Sequence, residues 1–150
     1  EHFRDDEPRA IAAQLQRAGY RTFMDGKYLN GHHSEDPIPY GWTDGSVLAS
    51  PNLQKYKGYD YEIMNWTQGQ AVSPTVWTGR KAIESRGSEP TDYSTDVVKA
   101  KALDFFRRAK RDNDDQPFFA YVAPTCPHMP LPPAPRHRAI VPAAAGTNTA

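Results

Sequence analysis

Residues 94–123 restrict the fold more than any other part of this chain. The stretch "STDVVKAKALDFFRRAKRD" sets Val98, Ala102, Phe105 and Ala109 at spacings of four, three and four, the period of one helical face. Ser94 or Thr95 suits the N-cap and Asp96 the first turn. Arg107, Arg108, Lys110 and Arg111 suit the far end, where cations complement the helix dipole. After "NDDQ" comes "PFFAYVAP", a continuous apolar run of strand length bounded by turn residues. Such a run is the pattern of a strand buried on both faces, as parallel strands are. Pro124, Pro127, Pro130, Pro132, Pro133 and Pro135 then forbid a long helix or a central strand. A helix feeding directly into a doubly covered strand points to an α/β sheet.

The same order occurs earlier. "EPRAIAAQLQRAGY" reads as a helix with Pro8 in its first turn, Ile11, Leu15 and Ala18 on one face, and Gly19 as the stop. "YRTFMD" follows as a strand that ends at Gly26. Residues 31–57 read as loop, because "DPIPYGW" and "SPN" break regular structure. "YDYEIMNW" reads as a strand with Tyr59, Tyr61 and Ile63 on one face, and "TQGQ" as a turn into a second short strand. Gly79 to Pro90 reads as a polar segment. No internal repeat is present, and the tail from Ala143 is low in complexity.

Charge narrows the partners. Eighteen basic and eighteen acidic residues cancel, with a pI near 7.2, so no net field draws nucleic acid or an anionic membrane. Aromatic residues make up 11 % of the chain, which is too many for a disordered polymer despite the low mean hydropathy. The single cysteine, Cys126, can form neither an internal disulfide nor a cysteine zinc site. No apolar run reaches the ~18 residues of a membrane span. Asn65-Trp66-Thr67 matches a glycosylation sequon.

The chemistry lies where the two inner strands end. The first strand opens onto Lys27, Asn30, His32 and His33; the second opens onto "APTCPHMP", with His128 between two prolines. In α/β sheets, sites form outside the carboxyl ends of the strands. Parallel neighbours would bring these loops to one edge. A lysine and a histidine meeting there make a cationic pocket rich in N–H donors, as a tetrahedral oxyanion requires.

The segments "AGYRTFMDGKYLNG", "PYGW", "DYSTDVVKAKALDFFRRA" and "QPFFAYVAPTCPHMPLPPAPRH" resemble the sulfatase family, in its N-acetylglucosamine-6-sulfatase-like and arylsulfatase-like branch. The resemblance runs in order from about Pro8 to His137. It implies an alkaline-phosphatase-like α/β fold with a mixed central sheet flanked by helices, here with a β-hairpin insertion. It also implies hydrolysis of sulfate esters by a formylglycine nucleophile, made from the cysteine of a C-x-P-S-R motif, with calcium polarising the sulfate. Lys27 matches the family's first active-site lysine, and His128 the active-site histidine after the later strand. Asn30 stands in for a histidine found in other branches, and His32 and His33 are candidates for the substrate entrance.

The departures are as informative. The nucleophile motif, the paired-aspartate and Asp-Asn metal motifs and the second active-site lysine have no counterpart in this sequence. Cys126 lacks the Ser and Arg that modification needs. The chain therefore reads as an internal portion, residues 1–142, of a sulfatase catalytic domain with a weakly ordered tail at 143–150. Calcium and formylglycine would come from segments outside it, and the portion alone is expected to be inactive. The implied substrate is a sulfated carbohydrate or an aryl sulfate, and the implied compartment is secreted, lysosomal or periplasmic. Two alternatives stay open: a phosphodiesterase or phosphatase-like member of the same superfamily, and a truncated sulfatase without catalysis.

Overall fold

The computed structural model describes residues 5–49, 60–73, 76–112, 115–128 and 133–140. A 3-10 turn, Glu7–Arg9, leads into helix α1, Ile11–Arg17. Strand β1, Arg21–Gly26, follows. Then come β2, Asp44–Ala49, β3, Tyr61–Ser73, and β4, Val76–Arg86. A 3-10 turn, Pro90–Asp92, precedes helix α2, Ser94–Asp112, and strand β5, Phe118–Ala123. A last 3-10 turn is Pro135–His137.

The strands form one mixed sheet in the order β4-β3-β2-β1-β5. Strands β2, β1 and β5 are parallel, while β3 and β4 continue the sheet as an antiparallel hairpin. Each face is covered by one helix. On the α1 face, Met24, Val47, Ala49, Met64 and Trp66 pack with Ala12, Ala13, Tyr40, Trp42 and Trp77. On the α2 face, Phe23 meets Ala102, Phe105 and Ala109, and Leu48, Tyr61 and Ile63 meet Val97. The rings of Phe23 and Phe105 stack at 4.3 Å, so the helix period expected from Val98, Ala102, Phe105 and Ala109 is the period that is buried.

Several expectations give way to packing. On α1, Ala12 and Ala13 are buried and Ile11 is 61 % exposed. The backbone of Gly41 comes so close that a Cβ there would sit 2.5 Å from the Ala13 nitrogen, and such an approach admits only small side chains on that face. Neither Ser94 nor Thr95 caps α2 through its hydroxyl; instead the Tyr93 carbonyl accepts from the N–H groups of Asp96 and Val97. Residues 44–49, expected as loop, are the wholly buried β2. Asp44 is tolerated there because its Oδ2 accepts from Arg21 Nε at 2.7 Å. "TQGQ" is no turn. β3 runs through it with a register shift between Thr67 and Gln70, and Gln68 takes φ 56, the signature of a bulge. Residues 79–86, expected as a polar segment, belong to β4, a solvated edge strand whose polar residues face water.

Strand β5 differs from its pattern in the opposite way. It lies at the sheet edge, with Phe118 47 %, Tyr121 54 % and Val122 40 % exposed. Its apolar run is that of a strand covered on both faces, and among the described residues nothing pairs with its outer edge. Tyr59 and the expected tail, 143–150, lie outside the described residues. Asn65 of the sequon sits within β3 and donates to Glu84 Oε2 at 3.3 Å. Among the described residues, no helix is long and apolar enough to cross a membrane.

Candidate functional site

Strands β1 and β5 run side by side, with Gly26 opposite Ala123. Their carboxyl ends therefore stop level, and the loops that start at Lys27 and at Pro124 leave from the same edge of the sheet. The junction is tight. The Lys27 N–H donates to the Ala123 carbonyl at 2.8 Å. Gly26 has φ +89, and a Cβ there would lie 2.2 Å from the same carbonyl oxygen. Only glycine allows the two strand ends to close on each other and still turn the chain towards Lys27.

The loop after Lys27 is pinned to the body of the fold. Lys27 is half-buried. The Tyr28 hydroxyl donates to Glu7 Oε1 at 2.8 Å, and Glu7 Oε2 accepts from the Tyr40 N–H at 3.3 Å. His32 is 6 % exposed and sits edge-on to the Tyr28 ring at 5.5 Å. Its Nδ1 lies 3.3 Å from Asp36 Oδ2, the oxygen that also accepts from the His33 N–H at 2.8 Å. Lys81 of β4 donates to the carbonyls of Ser34 and Asp36, both at 3.0 Å. Asn30 is exposed and His33 half-buried. His32, expected on an open loop, instead belongs to the packing that shapes it, because the tyrosine ring and Asp36 give its imidazole an apolar wall and a charged partner.

The second loop is tied to the start of α2. Cys126 is half-buried, with its Sγ 3.4 Å from the Tyr93 hydroxyl. Arg136, beyond the prolines, pairs with Asp96 in the first turn of α2. His128 is exposed at the end of the described part of this loop. The structure thus brings the Lys27 and His128 loops to one edge, with Asn30 and His33 on the first of them.

Sequence reasoning passed over Asp25, which directly precedes the Gly26–Lys27 corner. It is fully buried, and no side-chain donor among the described residues reaches either carboxylate oxygen. Burial pushes its carboxyl up to about 8, against the pull of the Gly26 N–H and the charge of Lys101. In the sequence Asp25 follows Phe23 and Met24 near the end of β1, and only the register shows that it is buried. Nearby, Glu84 is held below its usual range: burial opposes this, but the bonds and charges of Lys101 and Arg86 outweigh it. Lys101 Nζ lies 2.6 Å from Glu84 Oε2. At the far end of β1, Arg21 joins Asp44 and Asp112, and Arg108 Nη1 lies 3.8 Å from Asp44 Oδ1.

Among the described residues the edge does not make a metal centre. Among the described residues no three His, Cys, Asp or Glu side chains come together as a metal ligand set. The described residues therefore do not fit a calcium ion.

The Sulfatase family model matches residues 2–147. A putative extracellular sulfatase Sulf-1 homolog of Caenorhabditis elegans is 32 % identical over 131 residues, covering 87 % of this chain and 16 % of that protein. The N-acetylglucosamine-6-sulfatase of Homo sapiens is 30 % identical over 138 residues, covering 88 % of this chain and 21 % of that protein. A solved structure in complex with its substrate, D-glucosamine-2-N,6-O-disulfate, superposes with a TM-score of 0.57 at 27 % identity, covering 86 % of this chain and 21 % of that one. The chain thus spans about a fifth of the length of the relatives it matches. With a family match over nearly its whole length, and a mixed sheet flanked by helices as that resemblance implies, the chain belongs to the sulfatase family.

Proposed function

We propose that this chain supplies the sulfate-holding edge of a sulfate-ester hydrolase acting on a sulfated sugar. One observation carries the reading: β1 and β5 are adjacent and parallel, and the Lys27 N–H bonds the last carbonyl of β5. Supporting it are relatives whose names are those of glucosamine and extracellular sulfatases, and a similar solved structure bound to a disulfated glucosamine. Those names also favour work outside the cytoplasm.

In this reading Lys27 is a fixed cation for the sulfate oxygens. A sulfate ester carries one negative charge, and its hydrolysis loads more onto the oxygens as the S–O bond to the sugar breaks. A positioned ammonium in a water-poor site stabilises that charge. His128 gives a proton to the leaving alkoxide, the task for which imidazole is the usual choice. Asn30 and His33 line the approach. The buried His32 holds Tyr28 and Asp36, and so the loop that carries them. Nucleophile and calcium belong to segments beyond this chain, and no step is derived through them.

The test is hydrolysis of glucosamine 6-sulfate and of an aryl sulfate by the longer protein that carries this chain together with a nucleophile, unaltered and with Lys27→Ala or His128→Ala. Loss of one transition-state donor lowers the rate on the order of 10²–10³-fold. Full activity in Lys27→Ala, or hydrolysis of phosphate esters in preference to sulfate esters, would overturn the proposal.

A further inference from the structure

We propose that Asp25 is a pH-dependent support for Lys27: a buried carboxylic acid that holds the end of β1 in place while protonated and loosens it when ionised. The part that concerns Lys27 as a site residue rests on the function proposed above; the part that concerns the backbone does not.

The geometry starts from the sheet. Asp25 lies on the α2 face of β1, on the side of Phe23, whose ring stacks on Phe105. In register it is flanked by Ser46 of β2 and Val122 of β5. Ser46 is buried and uncharged. From α2 the charged group facing it is Lys101, and that ammonium is already engaged by Glu84 of β4. The nearest acid on the same face of β2, Asp44, sits opposite Phe23 and is held by Arg21 and Arg108. Asp25 therefore lies among apolar groups, a hydroxyl and one shared cation. A protonated carboxyl is tolerated in such a place, while a carboxylate with the Gly26 N–H and no side-chain donor to hold it is not.

The consequence is local because the next two residues form the junction itself. Gly26 is closed against Ala123, and the Lys27 N–H hangs on the Ala123 carbonyl. A charge at Asp25 must seek water or Lys101. Either movement carries Gly26 with it and opens the junction from which both loops leave. The sign is set by the raised carboxyl. The native state holds this proton through neutral pH, while the unfolded chain gives it up in the ordinary aspartate range. Stability from Asp25 is thus complete only below that range, and is lost as pH rises to about 8. Above about 8 the native carboxyl itself ionises and the strand end loosens.

The experiment is amide hydrogen exchange at Lys27 from about pH 6 to 9.5 in the protein and in its Asp25→Asn and Asp25→Leu variants, with the unfolding constant measured over the same range. Asparagine keeps the shape without the proton; leucine removes the buried polar group and covers the case where the amide cannot be housed. In the unaltered protein the Lys27 amide loses protection through about pH 8, several-fold beyond the ordinary base-catalysed rise, and the unfolding constant climbs by up to tenfold per pH unit below that point. In the variants both dependences flatten. Protection of Lys27 that stays constant across pH 8, or an equal pH dependence in both variants, overturns the proposal. Uniformly lower protection at every pH in the variants assigns Asp25 a packing role and overturns it too. Sulfate-ester hydrolysis is scored separately, in the longer protein that carries this chain: unchanged hydrolysis in its Lys27→Ala variant would refute the function proposed above and leave the exchange result standing.

Discussion

Replacing Gly26 by alanine isolates the contact that joins the two loops, and Gly19 provides the control. Both glycines have nearly the same φ, +89 at Gly26 and +90 at Gly19. Each substitution therefore carries a positive-φ penalty of similar order, about 1–2 kcal/mol. The surroundings differ. Nothing lies within 4 Å of a Cβ built at Gly19, whereas at Gly26 the Ala123 carbonyl oxygen is at 2.2 Å and its carbon at 2.7 Å. Relieving that overlap means moving the two strand ends apart by roughly an ångström, a strain of about 1–3 kcal/mol. The Lys27 N–H···Ala123 bond lengthens or breaks, at about 1 kcal/mol more. Gly26→Ala should thus be less stable than Gly19→Ala by about 2–4 kcal/mol. In urea unfolding, with a slope of about 1–3 kcal/mol per molar for a small protein, the two midpoints separate by roughly 1–2 M. Sulfate affinity should fall in Gly26→Ala and hold in Gly19→Ala. If the two variants unfold within about 0.5 kcal/mol of each other, the strand ends are not closed on one another, and the argument for a shared edge loses its basis.

Other substitutions test the packing and the charges. Phe105→Ala removes a fully buried ring stacked on Phe23 and should cost about 3–5 kcal/mol in denaturant unfolding. Asp44→Ala leaves the Arg21 guanidinium, whose side chain is only 17 % exposed, with Asp112 alone, and should cost about 1–3 kcal/mol, with Asp44→Asn milder. Ala13→Leu should destabilise by about 1–3 kcal/mol by driving α1 off Gly41, whereas Ile11→Gln, on the exposed side, should stay within about 0.5 kcal/mol. Glu84 is held below its usual range by Lys101 and Arg86, against its burial; its contribution is present above the ordinary glutamate range and is lost as pH falls below that range through the lowered native value. Glu84→Gln should remove that part of the acid-side loss of stability in a pH series.

Elements with a complete local signal were legible. Helix α2 has an unbroken apolar face and forms where its period places it, and β1 is bounded by Gly19 and Gly26 and is buried as an inner strand should be. Where the local signal failed, a tertiary partner had replaced it. "DGSVLA" contains three residues that strands avoid, yet it forms β2, because Asp44 finds Arg21 from β1 and the rest lies between two neighbouring strands. β4 read as polar because only Trp77 of its described side chains is buried; its strand character comes from a long pairing with β3, which no single segment displays. α1 shows the converse. Its large residue, Ile11, faces solvent because Gly41 brings another segment into direct contact with the alanines.

The site divides along the same line. The placement of Lys27 and His128 on loops at one edge was readable because each follows a strand end, and strand ends are readable. Which loop residues stand open was not readable, since His32 and Asn30 differ in nothing that a linear sequence records. One is drawn inward by the Tyr28 ring and by Asp36, four residues on; the other stays exposed on the same loop. Asp25 was missed for a different reason. An acid in a strand is normally assigned to the solvated face, and only the register, with Ser46 on one side and Val122 on the other under α2, puts it inside. The residues that decide how this edge behaves are thus two kinds of exception to the apolar pattern. One is a polar group at the end of a strand, where the proposed function places the ligand. The other is a polar group just before that end, where burial makes its charge depend on pH. In the function proposed above the first kind sets what the edge binds, and in the proposed role of Asp25 the second sets over what range of pH it stays assembled.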